Sequence, residues 1–357
     1  MDAVSLTREL VSIPSHEDPG RVGDRLVEWL ETHTDAEVRR DGHGNVFARR
    51  GSGEQSLALV GHHDVVPPDD SQLEDGRYVL QEDDDRLYGR GSADMKGSLA
   101  AMATAFRDAD PPGELVFTSF VGEEQGGVGC RAAIDDGFDP DYAVVGEGST
   151  GYSAGGVTDV AIAHKGRRGS TITASGAAAH ASEPDAGENA IYRALDAVDV
   201  VHELPFPATT VLGHDVTGSL VATEIEGGTA WNVVPEECTV TVDERTVPGS
   251  RAPLDRVEGI DGVSWEVDQD LPPMACDDEH FADIALEAAE TAQDEAPECV
   301  VKPHATDAGW LSARAGTTCL VVGAAEPGEA HTATESVSLP IIERCEAIYR
   351  SIADQWP

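Results

Sequence analysis

Leu57-Ala58-Leu59-Val60-Gly61-His62-His63-Asp64-Val65-Val66-Pro67 carries an apolar run directly into a histidine and an aspartate. Four further runs end in the same way. Residues 88–91 lead to Asp94, 115–121 to Glu123 and Glu124, 142–145 to Glu147, and 320–322 towards His331. Short apolar runs of this kind read as strands of an open α/β sheet, and such sheets build their sites beyond the carboxyl ends of the strands. Two histidines and several carboxylates gathered there suit a hard-to-borderline dication such as zinc.

Each segment admits a plainer reading when taken alone. On a strand, residues i and i+2 point the same way, so Asp64 could hold the second ring nitrogen of His62. A satisfied structural histidine explains an isolated His-x-Asp equally well. Asp94 sits in the glycine-framed turn Gly89-Arg90-Gly91-Ser92-Ala93-Asp94-Met95-Lys96-Gly97, where a helix cap is the alternative. Glu123 and Glu124 are adjacent carboxylates after an apolar run. Burying both needs a cation or a proton, and one can ligate while the other moves protons. A solvated acidic turn is the alternative there.

Working outward, strand-like runs alternate with helical stripes. Leu6, Leu10 and Val11, then Val22, Leu26, Trp29 and Leu30, mark two helices. Leu99, Met102, Ala103 and Phe106 mark another behind Asp94, and Ile341, Cys345, Ile348 and Ile352 the last. From about Lys165 the texture changes to a β-α-β-β-α-β order, which suits a small split-βαβ domain, and Pro272-Pro273 marks its exit. The expected architecture is an α/β catalytic domain formed by residues 1–164 and 273–357. A ferredoxin-like domain, residues 165–272, interrupts it.

The chain has 357 residues, with 67 acidic against 24 basic and a formal net charge of −43. Its only lysines are Lys96, Lys165 and Lys302. Carboxylate excess with scarce lysine predicts a halophilic protein, for in concentrated salt the Debye length falls to roughly 3 Å or less and self-repulsion is screened. The same charge argues against nucleic acid or an anionic membrane as partner. Cys130, Cys238, Cys276, Cys299, Cys319 and Cys345 show no CxxC pair and read as small buried apolar residues. No signal peptide or membrane span is visible, so a reduced cytoplasmic setting is expected.

Together the ordered motifs resemble the zinc aminoacylase/carboxypeptidase (M20-type) family of amidohydrolases. The resemblance rests on residues 61–67, 89–97, 122–126 and 146–149, and on Ala330-His331-Thr332 before Glu335-Ser336-Val337. It extends to Lys165-Gly166-Arg167-Arg168-Gly169, residues 177–180, Asn189-Ala190-Ile191 and Asn232-Val233-Val234-Pro235. It implies a zinc-peptidase-like catalytic domain with an inserted dimerisation domain. It also implies two zinc ions per subunit, cobalt or manganese being possible substitutes. His62, Asp94 and Glu147 would hold one, and Asp94, Glu124 and His331 the other.

By the same resemblance Glu123 would be general base and acid, and Asp64 would orient His62. His180 would stabilise the oxyanion from the partner subunit of a homodimer, and Asn232 and Arg245 would hold the polar end of a small N-acyl amino acid. The motif versions are most similar to those of succinyl-diaminopimelate desuccinylase, which belongs to lysine synthesis. Acetylornithine deacetylase comes second and a dipeptidase third. One position departs from the pattern: Gly148 stands where the family often has proline, which frees backbone next to Glu147.

Two motifs point elsewhere. Residues 146–151 match GxGxxG, and residues 151–155 match GxSxG. Each needs a helix immediately afterwards, and the sequence there is glycine-rich and then strand-like. A non-catalytic metal-binding relative would have no need of Glu123 beside its ligands.

Overall fold

The protein was described from a computed structural model covering residues 1–356. The chain divides into two compact units. The first comprises Met1–His164, Met274–Lys302 and Thr306 to the C-terminus; the second comprises Lys165–Pro273 and Pro303–Ala305.

The first unit is built on a nine-stranded mixed sheet. Strands Glu114–Phe120, Ser56–His62, Tyr142–Val145 and Thr318–Val321 lie side by side and parallel. Glu37–Arg40 and Val46–Arg50 close one edge antiparallel, while Val160–His164, Cys299–Lys302 and Met274–Ala275 close the other. Both faces are covered, which is why the parallel strands read as continuous apolar runs rather than alternating ones. On one face Ala58, Val60, Val116, Phe120 and Val145 pack with Cys130, Ala133, Ala308 and Leu311. On the other, Phe117 meets Phe106 of helix Gly97–Asp108 at a 6.1 Å ring separation.

One expectation fails. Residues 88–91 are not a strand of this sheet. Arg86–Tyr88 belongs to a separate three-stranded sheet with Gln81–Asp83 and Ser336–Ser338. Asp94 therefore arrives on a loop tied to the C-terminal segment rather than at the end of a central strand. An apolar run of three or four residues carries no information about which sheet it will join.

The second unit is a four-stranded antiparallel sheet, in the order Ser219–Gly227, Glu237–Arg245, Arg167–Ser175, Val263–Leu271. Helix Ala190–Glu203 and the 3₁₀ turn Leu254–Gly259 cover one face, around Ile172, Ala174, Val240 and Val242. This is the ferredoxin-like β-α-β-β-α-β order, with the second helix reduced to 3₁₀. A hairpin, Ala208–Val211 with His214–Thr217, is added and was not foreseen. All six cysteines are free, five of them buried.

Candidate metal centre

His62 closes its strand, and the two parallel neighbours of that strand lead directly to Glu123–Glu124 and to Glu147. Register thus places three ligand types at one edge of the sheet. His62 is 1 % exposed, and its Nε2 lies 3.0 Å from Asp94 Oδ1 and 3.3 Å from Glu147 Oε1. His331 reaches the same Asp94 from the other side, with Nε2 3.0 Å from Asp94 Oδ2 and 3.0 Å from Glu124 Oε1.

Two groups of donors result, His62/Asp94/Glu147 and Asp94/Glu124/His331, each with its ligand atoms within 4.8 Å of one another. Asp94 belongs to both. Each imidazole Nε2 faces two carboxylate oxygens, a convergence expected around a cation rather than in a one-to-one hydrogen bond. Hydrogen bonds to Asp94 and Glu124 push His331 up to about 10. Burial opposes the charge on His62, yet Asp64, Asp94 and Glu147 outweigh it and hold the ring well above its ordinary value. Three carboxylates and two histidines, all neutral-N or anionic-O donors, fit a pair of dications.

Asp64 acts on both sides of this cluster. His62 Nδ1 donates to the Asp64 backbone oxygen at 3.0 Å, while the carboxylate stands 3.5 Å away. The Asp64 carboxylate instead accepts the backbone N–H groups of Glu123 at 3.2 Å and Glu124 at 3.3 Å. It therefore sets the turn that aims these two acids. Burial pushes the Glu123 carboxyl well above the ordinary carboxylate range, with repulsion from Glu147, Asp307 and Asp94 added against the pull of His62. A carboxyl so placed is suited to proton transfer near neutral pH.

Three supporting residues were not assigned roles from sequence. Glu335, 1 % exposed, accepts the backbone N–H groups of Ala93 at 3.1 Å and Asp94 at 3.2 Å, and Arg90 holds its other oxygen at 2.5 Å. This clamp fixes the Asp94 loop to the segment that also carries His331. Asp307 is buried at the start of a short helix, and burial pushes its carboxyl to about 7. Partners 245 residues apart, as Arg90 and Glu335 are, leave no local signature. His63 is fully buried with Nδ1 2.7 Å from Ser119 Oγ, a structural role.

Gly148 has a physical reason. A Cβ there would lie 2.6 Å from the Ala325 backbone oxygen. The segment is held without proline: Lys302 Nζ donates to Gly148 O at 2.7 Å, and Ser149 N to Gly323 O at 3.1 Å. Gly148→Ala is expected to cost about 1–3 kcal/mol through overpacking and to loosen metal binding at Glu147. Denaturant midpoints and metal titration check this; unchanged values in both would show that the Ala325 segment yields freely. The GxGxxG and GxSxG matches lead into strand Val160–His164 with no helix between, and Ser153 Oγ is bound to Asp159 at 2.6 Å.

Within the second unit, His180 pairs in register with Val233, so it neighbours Asn232. Ser182 meets His180 Nδ1 through its Oγ at 2.6 Å and its backbone N–H at 3.2 Å, so Nε2 is the nitrogen of this exposed ring that faces other partners. Arg245 is not brought to that pair. It ends the nine-residue strand Glu237–Arg245, whose other end approaches the Asn232 loop. Its Nε donates to Asp243 at 2.8 Å, and Asp243 also binds Arg167 at 2.6 Å.

Comparison with known proteins gives a consistent picture. The chain is 33% identical over 239 residues to a probable succinyl-diaminopimelate desuccinylase of Staphylococcus aureus, covering 57% of this chain and 56% of that one. It is 32% identical over 224 residues to an acetylornithine deacetylase of Pectobacterium carotovorum, covering 57% and 54%. These matches span about half the length of those relatives. A succinyl-diaminopimelate desuccinylase of Rhodospirillum centenum is 29% identical over 395 residues, covering 99% and 97%.

Among solved structures, aminopeptidase PepT of Bacillus cereus superposes with a TM-score of 0.79 at 19% identity, covering 99% and 97% of the two chains. A dinuclear metal-binding peptidase of Bacillus subtilis superposes with a TM-score of 0.71 at 15% identity, covering 99% and 96%. The model of peptidase family M20/M25/M40 matches residues 58–355. With two donor groups sharing Asp94 on this sheet, the chain belongs to peptidase family M20/M25/M40.

Proposed function

We propose that this protein is a metal-dependent amide-bond hydrolase, specifically a dinuclear-zinc amidohydrolase that removes the acyl group from an N-acyl amino acid, with N-succinyl-diaminopimelate as its substrate. The observation that carries the mechanism is Asp94 shared between two donor groups, with Glu123 beside them and outside both. Bound there, the metal pair supplies Lewis acidity at the amide carbonyl and a water acidic enough to attack near neutral pH. Glu123 takes the proton of the attacking water and returns it to the leaving amine. Asp64 holds Glu123 in place through its backbone N–H. His180 donates its Nε2–H to the developing oxyanion, where one such donor is worth about 3–4 kcal/mol.

A homodimer is part of this proposal, as is a reduced cytoplasmic setting. His180 and Asn232 lie beyond one end of the Glu237–Arg245 strand and Arg245 at the other, roughly 27 Å apart at about 3.4 Å per residue. Such a span supports a site that draws Arg245 from one subunit and His180 with Asn232 from its partner. The terminal guanidinium nitrogens of Arg245 remain for a substrate carboxylate. Exposed Val221 and Ile225 on the edge strand, with Tyr192 and Leu195 on the helix, offer the apolar surface such a dimer would bury. Sedimentation at working salt tests it; a strictly monomeric active enzyme would exclude a partner His180.

A second reading, N-acetylornithine deacetylation, draws on relatives of that name covering 90% of this chain at 28% identity. A substrate panel in multi-molar KCl with added zinc separates the two. We expect kcat/KM to be highest for N-succinyl-diaminopimelate over N-acetylornithine and a dipeptide, and chelation to stop every activity. Fast deacetylation with no desuccinylation would overturn the first choice. Turnover that survives chelation would remove the metal mechanism.

A further inference from the structure

A cleft of about 540 Å³ opens in the catalytic unit beside the metal ligands. That is the size of a small-molecule site, roughly 300–1,000 Å³. Asp64 and Glu124 line it together with Ser15 and with Arg40, the last residue of the strand Glu37–Arg40. Val65, Val66, Val121 and Val128 are its apolar lining. Apart from Asp64 and Glu124, its lining residues have no part in the water activation or oxyanion binding described above.

The geometry points to a carboxylate subsite centred on Arg40, which receives the free end of the substrate while the valine flank lines its aliphatic stretch. This rests on the amidohydrolase reading and specifies what such an enzyme recognises beyond the scissile amide. Arg40 is held but not used up. Nη1 is paired with Asp24, and Nε donates to Gly44 O at 3.3 Å. Nη2 makes no hydrogen bond among the described residues. It lies between two glycines that leave it room, since a Cβ at Gly20 or Gly44 would stand 3.4 Å from it.

Val65, Val66, Val121 and Val128 belong to the lining of the same cleft. A guanidinium edge and an apolar lining in one cleft match a carboxylate carried on a methylene chain. The cleft lining also carries Glu17, Asp18, Asp64 and Glu124, and Arg40 is its one arginine or lysine, so an anionic end is held there through this guanidinium.

The carboxylate has two possible sources, the acyl group or the far end of the amino acid. Two substrate pairs distinguish them. The first compares N-succinyl with N-butyryl on one amino acid. The second compares N-acetyl-diaminopimelate with N-acetyl-lysine, which differ by the distal carboxylate. We expect the zinc-loaded enzyme to prefer the carboxylate-bearing member of one pair through KM. Arg40→Gln should shrink that kcat/KM ratio roughly ten- to a hundred-fold, as loss of a charged hydrogen bond implies. Asp24→Asn removes the ion pair but keeps the guanidinium, and should keep the ratio.

Loss of the ratio in the first pair assigns the subsite to the acyl group, and in the second pair to the amino-acid end. Equal loss on both members of each pair, or no change in either ratio, overturns the subsite. Failure of the enzyme to hydrolyse any of the four substrates would instead sink the amidohydrolase reading on which it rests.

Discussion

Glu123→Gln is expected to lower kcat by roughly two to four orders of magnitude while the protein still binds its metals. The substitution keeps the shape of the side chain and removes its ability to accept a proton. The turn should survive, because its position comes from backbone N–H groups held by the Asp64 carboxylate rather than from the Glu123 side chain. The neighbouring member of a donor group, Glu124, is untouched. Glu123 belongs to neither donor group, so metal content measured on the purified variant should match the parent. The pH profile sharpens the test. Burial and surrounding carboxylates hold the Glu123 carboxyl above its ordinary range, and the residual activity of the variant should lose the ionisation that this group contributes to kcat. Unchanged turnover would remove Glu123 from the chemistry. Lost metal together with lost turnover would make it a ligand instead.

What the sequence disclosed follows from how local each feature is. Continuous apolar runs such as residues 57–60 and 115–121 announce strands covered on both faces, and they are the centre of the sheet. Because these strands are parallel neighbours, residues just beyond their ends must converge, and His62, Glu124 and Glu147 do lie at one edge. Asp94 was legible as a ligand type but not by its route, since the loop that carries it is fixed by Glu335 and Arg90 from distant parts of the chain. The Asp64 contact shows the same limit. Alternation places its side chain beside that of His62, but backbone geometry decides that the carbonyl meets the ring while the carboxylate turns to Glu123 and Glu124. The need for glycine at 148 was invisible, because it comes from Ala325, which is remote in sequence.

Lowering KCl from about 1 M or above to about 0.1 M is expected to destabilise the protein strongly, because the Debye length then grows from about 3 Å to about 10 Å. The structure makes the charge imbalance of the surface more severe than the composition suggests. Lys96 is fully buried, its Nζ donating to Ile13 O at 2.8 Å, and Lys302 is 7 % exposed. Lys165 is half-buried, so no lysine lies fully in solvent to offset the carboxylates. Arginines do pair with them, as Arg8 does with Glu82 and Arg251 with Asp270, but exposed pairs contribute little individually. With 67 acidic and 24 basic residues, one-to-one pairing leaves most carboxylates without a basic partner. If screening relieves only about 5 kcal/mol, a large share of ordinary stability, the melting temperature should rise by on the order of 10 °C between the two salts. Calorimetry across a KCl series measures this, and sucrose is the control. Sucrose stabilises folded states by exclusion from the surface without screening charge, so it should not replace KCl. A melting temperature independent of KCl, or one restored equally by sucrose, would remove charge screening as the reason for this composition.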